Sequence, residues 1–76
     1  MLSELYSVRT KAQMSTRALS IKSGISKSLI SRIENSQAIP KIDAVCKLAS
    51  ALNIGPDALF SILVEGENYD KLYYHL

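Results

Sequence analysis

Apolar residues recur along the chain at helical spacing, and no alternation typical of a β-strand persists. The pattern predicts five helices, over about residues 2–12, 16–23, 27–35, 42–53 and 56–64. In the fourth of them the expected apolar face consists of Ile42, Val45, Cys46, Leu48, Ala49 and Leu52. The hydrophobic pattern therefore predicts an all-α fold.

Residues that start and stop helices flank these blocks. Ser15 and Ser26 are suited to cap the second and third helices, because a serine hydroxyl can accept from a first-turn amide. Gly24 can adopt positive φ just past the second helix. Pro40 forbids a helix that continues through it, and Pro56 suits the first position of the fifth helix.

Only Gly24, Ile25 and Ser26 separate the second and third predicted helices. Two short helices joined by so few residues must cross at a steep angle. That arrangement is typical of a helix-turn-helix unit rather than a hairpin of parallel helices.

The third predicted helix has two unlike faces when its residues are placed 100° apart. One arc is polar and contains no acid: Lys27, Ser28, Ser31, Arg32 and Asn35. The opposite arc is apolar: Leu29, Ile30 and Ile33. Glu34 falls at the margin of the apolar arc. The polar face suits a recognition helix in the major groove, where arginine can bond guanine and serine can reach several base edges. The alternative is an ordinary solvated helix face.

Length and composition indicate one small folded domain of 76 residues, 47% hydrophobic and 21% charged. The net charge is only +2, but it is unevenly distributed. Seven basic and two acidic residues give +5 over residues 1–41, whereas two basic and five acidic residues give −3 over 42–76. A basic front and an acidic back favour one-sided binding of nucleic acid. Chance in a small sample is the alternative.

The sequence gives little support for a membrane protein, an exported protein, a metalloprotein or an enzyme. No apolar run approaches the roughly 20 residues that cross a bilayer, and the N-terminus does not resemble a signal peptide. We therefore expect no membrane association and a cytoplasmic protein, which would be associated with the nucleoid if it binds DNA. Cys46 is single, so we expect a small core residue rather than a disulfide or a ligand. No nucleophile–base pair or metal-ligand spacing occurs, which predicts no catalytic residue, no metal and no cofactor.

The stretch "MSTRALSIKSGISKSLISRIENSQAIPKIDAVCKLASALNIGPDALF" (14–60) resembles the Cro/lambda-repressor-like, XRE-type helix-turn-helix domains of bacteria and phages. With Leu5, Val8 and Arg9 upstream, the resemblance covers about residues 3–62. The matching positions are Leu19, Gly24, Ile25, Ser26, Ile30, Ser31, Arg32, Ile33, Glu34, Asn35, Pro40, Leu48, Ala49, Leu52, Ile54, Asp57, Leu59 and Phe60.

The resemblance implies a compact five-helix lambda-repressor-like domain that binds double-stranded operator DNA, usually as a homodimer. It implies a structural ion pair between Arg9 and Glu34. The implied base-contacting residues are Ser26, Lys27, Ser28, Ser31 and Arg32. The implied phosphate-contacting residues are Thr16, Arg17, Asn35, Gln37 and Lys41.

Four positions depart from the family pattern. Thr16 stands where glutamine usually holds a phosphate, and Gln13 replaces a usual glycine before the second helix. Ser20 replaces a usual alanine that packs against the third helix, and we expect it to fit at a slight cost. Lys41 occupies a place where serine or threonine often caps the fourth helix.

The chain divides, by this interpretation, into a DNA-binding domain (1–64) and a C-terminal tail (65–76). In the tail, Tyr69, Leu72, Tyr73 and Leu76 form one helical stripe. We expect a dimer contact built from Phe60, Leu63, Tyr69, Leu72 and Tyr73, because aromatic residues are favoured in interface cores. Alternatively the tail covers its own domain's core. By the habit of the family that the chain resembles, a shorter dimer contact through Phe60, Ile62, Leu63 and Val64 is equally consistent.

The leading hypothesis is a sequence-specific transcriptional regulator, most simply a repressor, that binds a palindromic operator as a homodimer. The alternative is a protein-interaction module, such as an antitoxin or antirepressor, that uses the same fold to hold a protein partner. A binding surface in 61–76 and an absence of salt-dependent DNA affinity would favour this second hypothesis.

Overall fold

The computed structural model describes residues 4–66, with side chains described through Leu63. It contains five helices: α1 (Glu4–Lys11), α2 (Thr16–Ser23), α3 (Lys27–Glu34), α4 (Ile42–Leu52) and α5 (Pro56–Gly66). No strand occurs in this part of the chain. The predicted all-α architecture is confirmed, and α5 extends two residues beyond its predicted end. The division into domain and tail stays a prediction, since residues 67–76 lie outside the described range.

The helices pack around one core to which all five contribute. α2 contacts α3 and α4, α4 contacts α5, and α1 contacts both α3 and α5. The largest fully buried side chains are Leu5, Leu19, Ile30, Leu48, Leu59, Leu63 and Val45. Burying a side chain of this size contributes about 1.5–3 kcal/mol of hydrophobic free energy. This core supports α3 from its inner side.

Three helices end next to a non-glycine residue with positive φ: Gln13 (59°), Ser36 (58°) and Asn53 (64°). After α1, the N–H of Gln13 donates to the carbonyl of Thr10 at 3.0 Å, and that of Met14 donates to the carbonyl of Arg9 at 3.2 Å. This pairing is the Schellman motif, which satisfies the last carbonyls of a helix. The same pairing follows α3 and α4. Because left-handed backbone costs an L-residue about 1–2 kcal/mol, Gln13 holds strain where the family has glycine.

The expected apolar face of α4 was wrong at two positions. Cys46 is exposed, and so is Ile42, with 58% of its surface accessible. The buried face is instead centred on Leu48 and includes Ala44 and Ala51. At 100° per residue Cys46 lies about 160° from Leu48 and Ile42 about 120°, so both point away from the core. The prediction assigned these two residues to the core because they are apolar. Burial on a helix is decided by the angular position of a residue relative to the core.

Leu63 was expected in a dimer contact, but its side chain is only 1% exposed and belongs to the domain's own core. The reason is its spacing from Leu59, which places both residues on the inner stripe of α5. Phe60 is half-buried against the same core, and Ile62 is half-buried. Tyr69, Leu72 and Tyr73 lie outside the described residues.

None of the helices between residues 4 and 66 has both the length and the apolar character needed to cross a bilayer.

Candidate nucleic-acid interface

The polar face predicted for α3 is exposed in the structure. Lys27, Ser28, Ser31 and Arg32 are all accessible, as is Ser26 immediately before the helix. The Ser26 hydroxyl accepts a hydrogen bond from the Leu29 N–H at 3.1 Å, which caps α3. A hydroxyl that accepts in this way retains its own hydrogen for a further partner. The structure thus brings the five expected base-contacting residues together at the start and along the outer face of one helix.

The opposite face of α3 is fixed to the core. Ile30 and Ile33 are 0% and 2% exposed, and Leu29 is half-buried against the same cluster. Glu34 is also buried, with 4% of its surface accessible. The only carboxylate of this helix is therefore turned away from the polar outer face.

Glu34 is paired with Arg9 of α1, as the resemblance implies. The Arg9 Nε donates to Glu34 Oε2 at 2.6 Å, and Nη2 donates to Oε1 at 3.1 Å. The hydrogen bond with Glu34 raises the pKa of Arg9 from its ordinary value, against the opposing effect of burial. Arg9 Nη1 also donates to the Met14 carbonyl at 2.8 Å, and the guanidinium lies 5.2 Å from the centre of the Tyr6 ring. One side chain thus joins α1, the α1–α2 turn and α3.

The turn between α2 and α3 is organised by glycine and serine. Gly24 has φ 76°, and a Cβ at this position would meet no atom within 4 Å. Glycine is favoured here by the backbone conformation rather than by a lack of space. The Ser20 hydroxyl donates to the Ile25 carbonyl at 2.6 Å, and the Ser23 hydroxyl accepts from the Ile25 N–H at 3.1 Å. The slight cost expected for Ser20 stays a prediction, and the structure adds that its hydroxyl has a partner in the turn.

The start of α2 presents the first two expected phosphate contacts. Ser15 caps the helix by accepting from the Ala18 N–H at 3.0 Å, as predicted. Thr16 is half-buried and Arg17 is exposed. Amides in the first turn of a helix lack partners within the helix and carry partial positive charge, which suits an anion.

The other three expected phosphate contacts follow α3 and are exposed. The side-chain amide of Asn35 donates to the Ser31 carbonyl at 2.8 Å, and the backbone N–H of Gln37 donates to the Arg32 carbonyl at 2.7 Å. Lys41 occupies the N-cap of α4 without a side-chain cap bond. The segment between α3 and α4 is therefore ordered by its own hydrogen bonds while its polar side chains face solvent.

The exposed charges of residues 11–41 have one sign. Six exposed cations lie between residues 11 and 41: Lys11, Arg17, Lys22, Lys27, Arg32 and Lys41. The only acid in that interval is Glu34, which is buried and paired. The exposed charge of the interval is entirely positive, which favours a polyanion. Among the described residues no cluster of histidine, cysteine and carboxylate side chains could hold a metal ion.

Sequence reasoning did not find the roles of Ser20, Ser23, Tyr6 or the Met14 carbonyl. A signal existed for Ser20, since a hydroxyl stands where the family usually has alanine one turn before the helix-turn-helix glycine. The other three depend on how α1 and α2 approach the turn, which no local pattern reports.

A family model described as helix-turn-helix matches residues 5–59. The chain therefore belongs to the Cro/lambda-repressor-like, XRE-type helix-turn-helix family, whose members are DNA-binding regulators. Comparison with curated proteins and comparison with solved structures gave no match.

Proposed function

We propose that this protein is a transcriptional repressor that binds a palindromic operator as a homodimer, with α3 in the major groove. The observation that carries the proposal is the exposed, acid-free face of α3, supported by buried isoleucines and by the Arg9–Glu34 pair. A helix that reads base edges needs a defined orientation, and an outer face without negative charge avoids repulsion from the phosphates; α3 has both features.

Base contacts are proposed for Ser26, Lys27, Ser28, Ser31 and Arg32. Arg32 is the residue best suited to bidentate bonding with guanine, and the serines are short enough to permit close approach of the helix to the groove floor. Lys27 at the start of α3 can reach either a base edge or a phosphate.

Phosphate contacts are proposed for Thr16, Arg17, Asn35, Gln37 and Lys41. They lie at the start of α2 and in the segment after α3, so they flank the proposed reading helix along the chain. Contacts on both sides of a groove fix the register of the protein on the duplex without reading its sequence.

The homodimer is proposed to form through Phe60 and Ile62 of α5, which are half-buried in the monomer, together with Tyr69, Leu72 and Tyr73. A two-fold dimer would present two α3 helices to successive major grooves about 34 Å apart. Repression needs no further surface, because a protein that occupies an operator can exclude polymerase. Residues 1–64 would form the DNA-binding domain and 65–76 the dimer-forming tail, and the protein would act on the nucleoid in the cytoplasm.

Selection from a pool of random-sequence duplexes tests the DNA-binding part of this proposal. We expect an enriched, palindromic sequence, with affinity that falls steeply as salt is raised. Sedimentation of the protein alone and with the selected duplex would give the stoichiometry, and we expect two chains per duplex. A reporter with the selected site over its promoter should be expressed less when the protein is present.

Each arm of this experiment can fail separately. Salt-insensitive and non-selective binding would overturn the proposal and favour the protein-interaction module. Selection of a non-palindromic site by a single chain would overturn the homodimer. Increased reporter expression would overturn the repressor role.

A further inference from the structure

The turn of the helix-turn-helix unit joins the two proposed sets of DNA contacts. α2 carries Thr16 and Arg17 at its start, and α3 carries the proposed reading face. Only three residues link these helices, so the conformation of that turn contributes, together with core packing and the Arg9–Glu34 pair, to how α3 is oriented relative to the phosphate contacts of α2.

The backbone N–H and the backbone carbonyl of Ile25, in the middle of the turn, are both hydrogen-bonded to serine hydroxyls of α2. Ser23 accepts from the Ile25 N–H at 3.1 Å, and Ser20 donates to the Ile25 carbonyl at 2.6 Å. Ile25 and Ser23 are each only 9% exposed, so water has little access to replace these bonds. We call this arrangement of Ser20, Ser23 and Ile25 the serine clamp.

We propose that Ser20 and Ser23 are positioning residues, whose hydroxyls hold the turn in one conformation and thereby determine how well α3 discriminates between base sequences. The inference rests on the proposed function, in which α3 is the reading helix. Neither serine contacts DNA in this proposal, because the two hydroxyls are hydrogen-bonded to the backbone carbonyl and N–H of Ile25.

The physical reason is that contacts to base edges and contacts to phosphates differ in how much displacement they tolerate. Hydrogen bonds to base edges weaken steeply when distance or angle departs from its optimum. Attraction between flexible cationic side chains and phosphates varies more gently with distance. A looser turn should therefore weaken binding to the operator while leaving non-specific binding almost unchanged.

The test uses the full chain with Ser20→Ala and Ser23→Ala as separate variants. Each change removes one hydroxyl and keeps the Cβ. Ser50→Ala is the matched control, since Ser50 is an exposed α4 serine outside both the clamp and the proposed DNA contacts. Affinity is measured for the selected duplex and for a shuffled duplex of equal composition, at two salt concentrations. Exchange of the Ile25 amide hydrogen is followed by NMR.

For each clamp variant we expect the ratio of the two affinities to fall by about three- to tenfold, the factor that loss of one intramolecular hydrogen bond represents. Affinity for the shuffled duplex and its salt dependence should match the wild-type protein. The Ile25 amide should exchange faster in Ser23→Ala, which removes its acceptor. Ser50→Ala should change none of these quantities. Loss of folded protein alone would lower both affinities equally and leave their ratio intact.

The outcomes separate this inference from the proposed function. If the wild-type protein discriminates between the duplexes and both clamp variants do so equally well, the clamp has no positioning role. An equal loss of both affinities would show a purely structural role and would also overturn it. If the wild-type protein does not discriminate, the proposed function fails, and the clamp proposal fails with it.

Discussion

The Arg9 guanidinium of α1 and the Glu34 carboxylate of α3 form a two-bond ion pair across 25 positions of sequence, with Nε and Oε2 2.6 Å apart. Both side chains are largely shielded from water, at 12% and 6% exposure. The pair neutralises the single carboxylate of the proposed reading helix and connects that helix to α1. It thus acts on both the electrostatics and the orientation of α3.

Removing either partner of this pair should destabilise the domain. Arg9→Ala should lower the free energy of unfolding by about 3–5 kcal/mol, because it leaves the buried Glu34 carboxylate without its partner. Glu34→Ala should cost less, because Arg9 is only partly buried and keeps the Met14 carbonyl as an acceptor. Urea unfolding followed by circular dichroism measures this. The double variant should lose less than the sum of the two single changes. Strict additivity of the two losses would show that the ion pair contributes no coupling.

Arg32→Ala should relax base discrimination at one position of the operator, by roughly 1–3 kcal/mol. The measurement is a gel-shift series over single-base variants of the selected duplex. Lys22→Ala is the matched control, since Lys22 is an exposed cation outside the proposed contacts. Lys22→Ala should lower affinity slightly, and by the same factor for every duplex in the series. Unchanged discrimination in Arg32→Ala would exclude the proposed role of this arginine.

Lys41→Ser should stabilise the fold while weakening DNA binding. Lys41 is the N-cap of α4 and makes no cap bond, so serine should raise the free energy of unfolding by about 1 kcal/mol. Loss of a phosphate contact should lower affinity equally for all sequences and reduce the salt slope by about one. Lys41→Gln is the control, and it should lose affinity without gaining stability. An unchanged salt slope in both variants would remove Lys41 from the interface.

Gln13→Gly should stabilise the protein by up to about 1 kcal/mol. Gln13 has φ 59°, and glycine removes the strain of that conformation at the smaller cost of a more flexible unfolded chain. Thermal unfolding measures the effect. Gln37→Gly serves as the comparison, because Gln37 does not have positive φ and its replacement should destabilise slightly. A lower melting temperature for Gln13→Gly would contradict the strain at this turn.

Cys46 should behave as a surface thiol. Cys46→Ser should change the free energy of unfolding by less than about 0.5 kcal/mol, whereas Ala49→Ser on the buried face of the same helix should cost about 1–3 kcal/mol. A thiol reagent should label Cys46 in the folded protein about as fast as in urea. Slow labelling that appears only on unfolding would place Cys46 back in the core.

Local patterns were sufficient for the elements of this fold. The spacing of apolar residues located all five helices, Ser15 and Ser26 were found as caps, and Gly24 was found as the turn residue. The exposed face of α3 also followed from its periodicity. Cys46 shows where this reasoning failed, because an apolar side chain was assigned to the core without regard to its angle on α4.

The sequence by itself determined the helices, the tight turn between α2 and α3, and the sign of the charge that α3 presents, since these depend on residues close together in the chain. Only the tertiary structure decided that Leu63 packs inward, that Arg9 reaches the Met14 carbonyl as well as Glu34, and that Ser20 and Ser23 hold the Ile25 peptide groups. These contacts depend on how helices approach one another. That approach is set by the packing of side chains distant in sequence, which no local periodicity encodes.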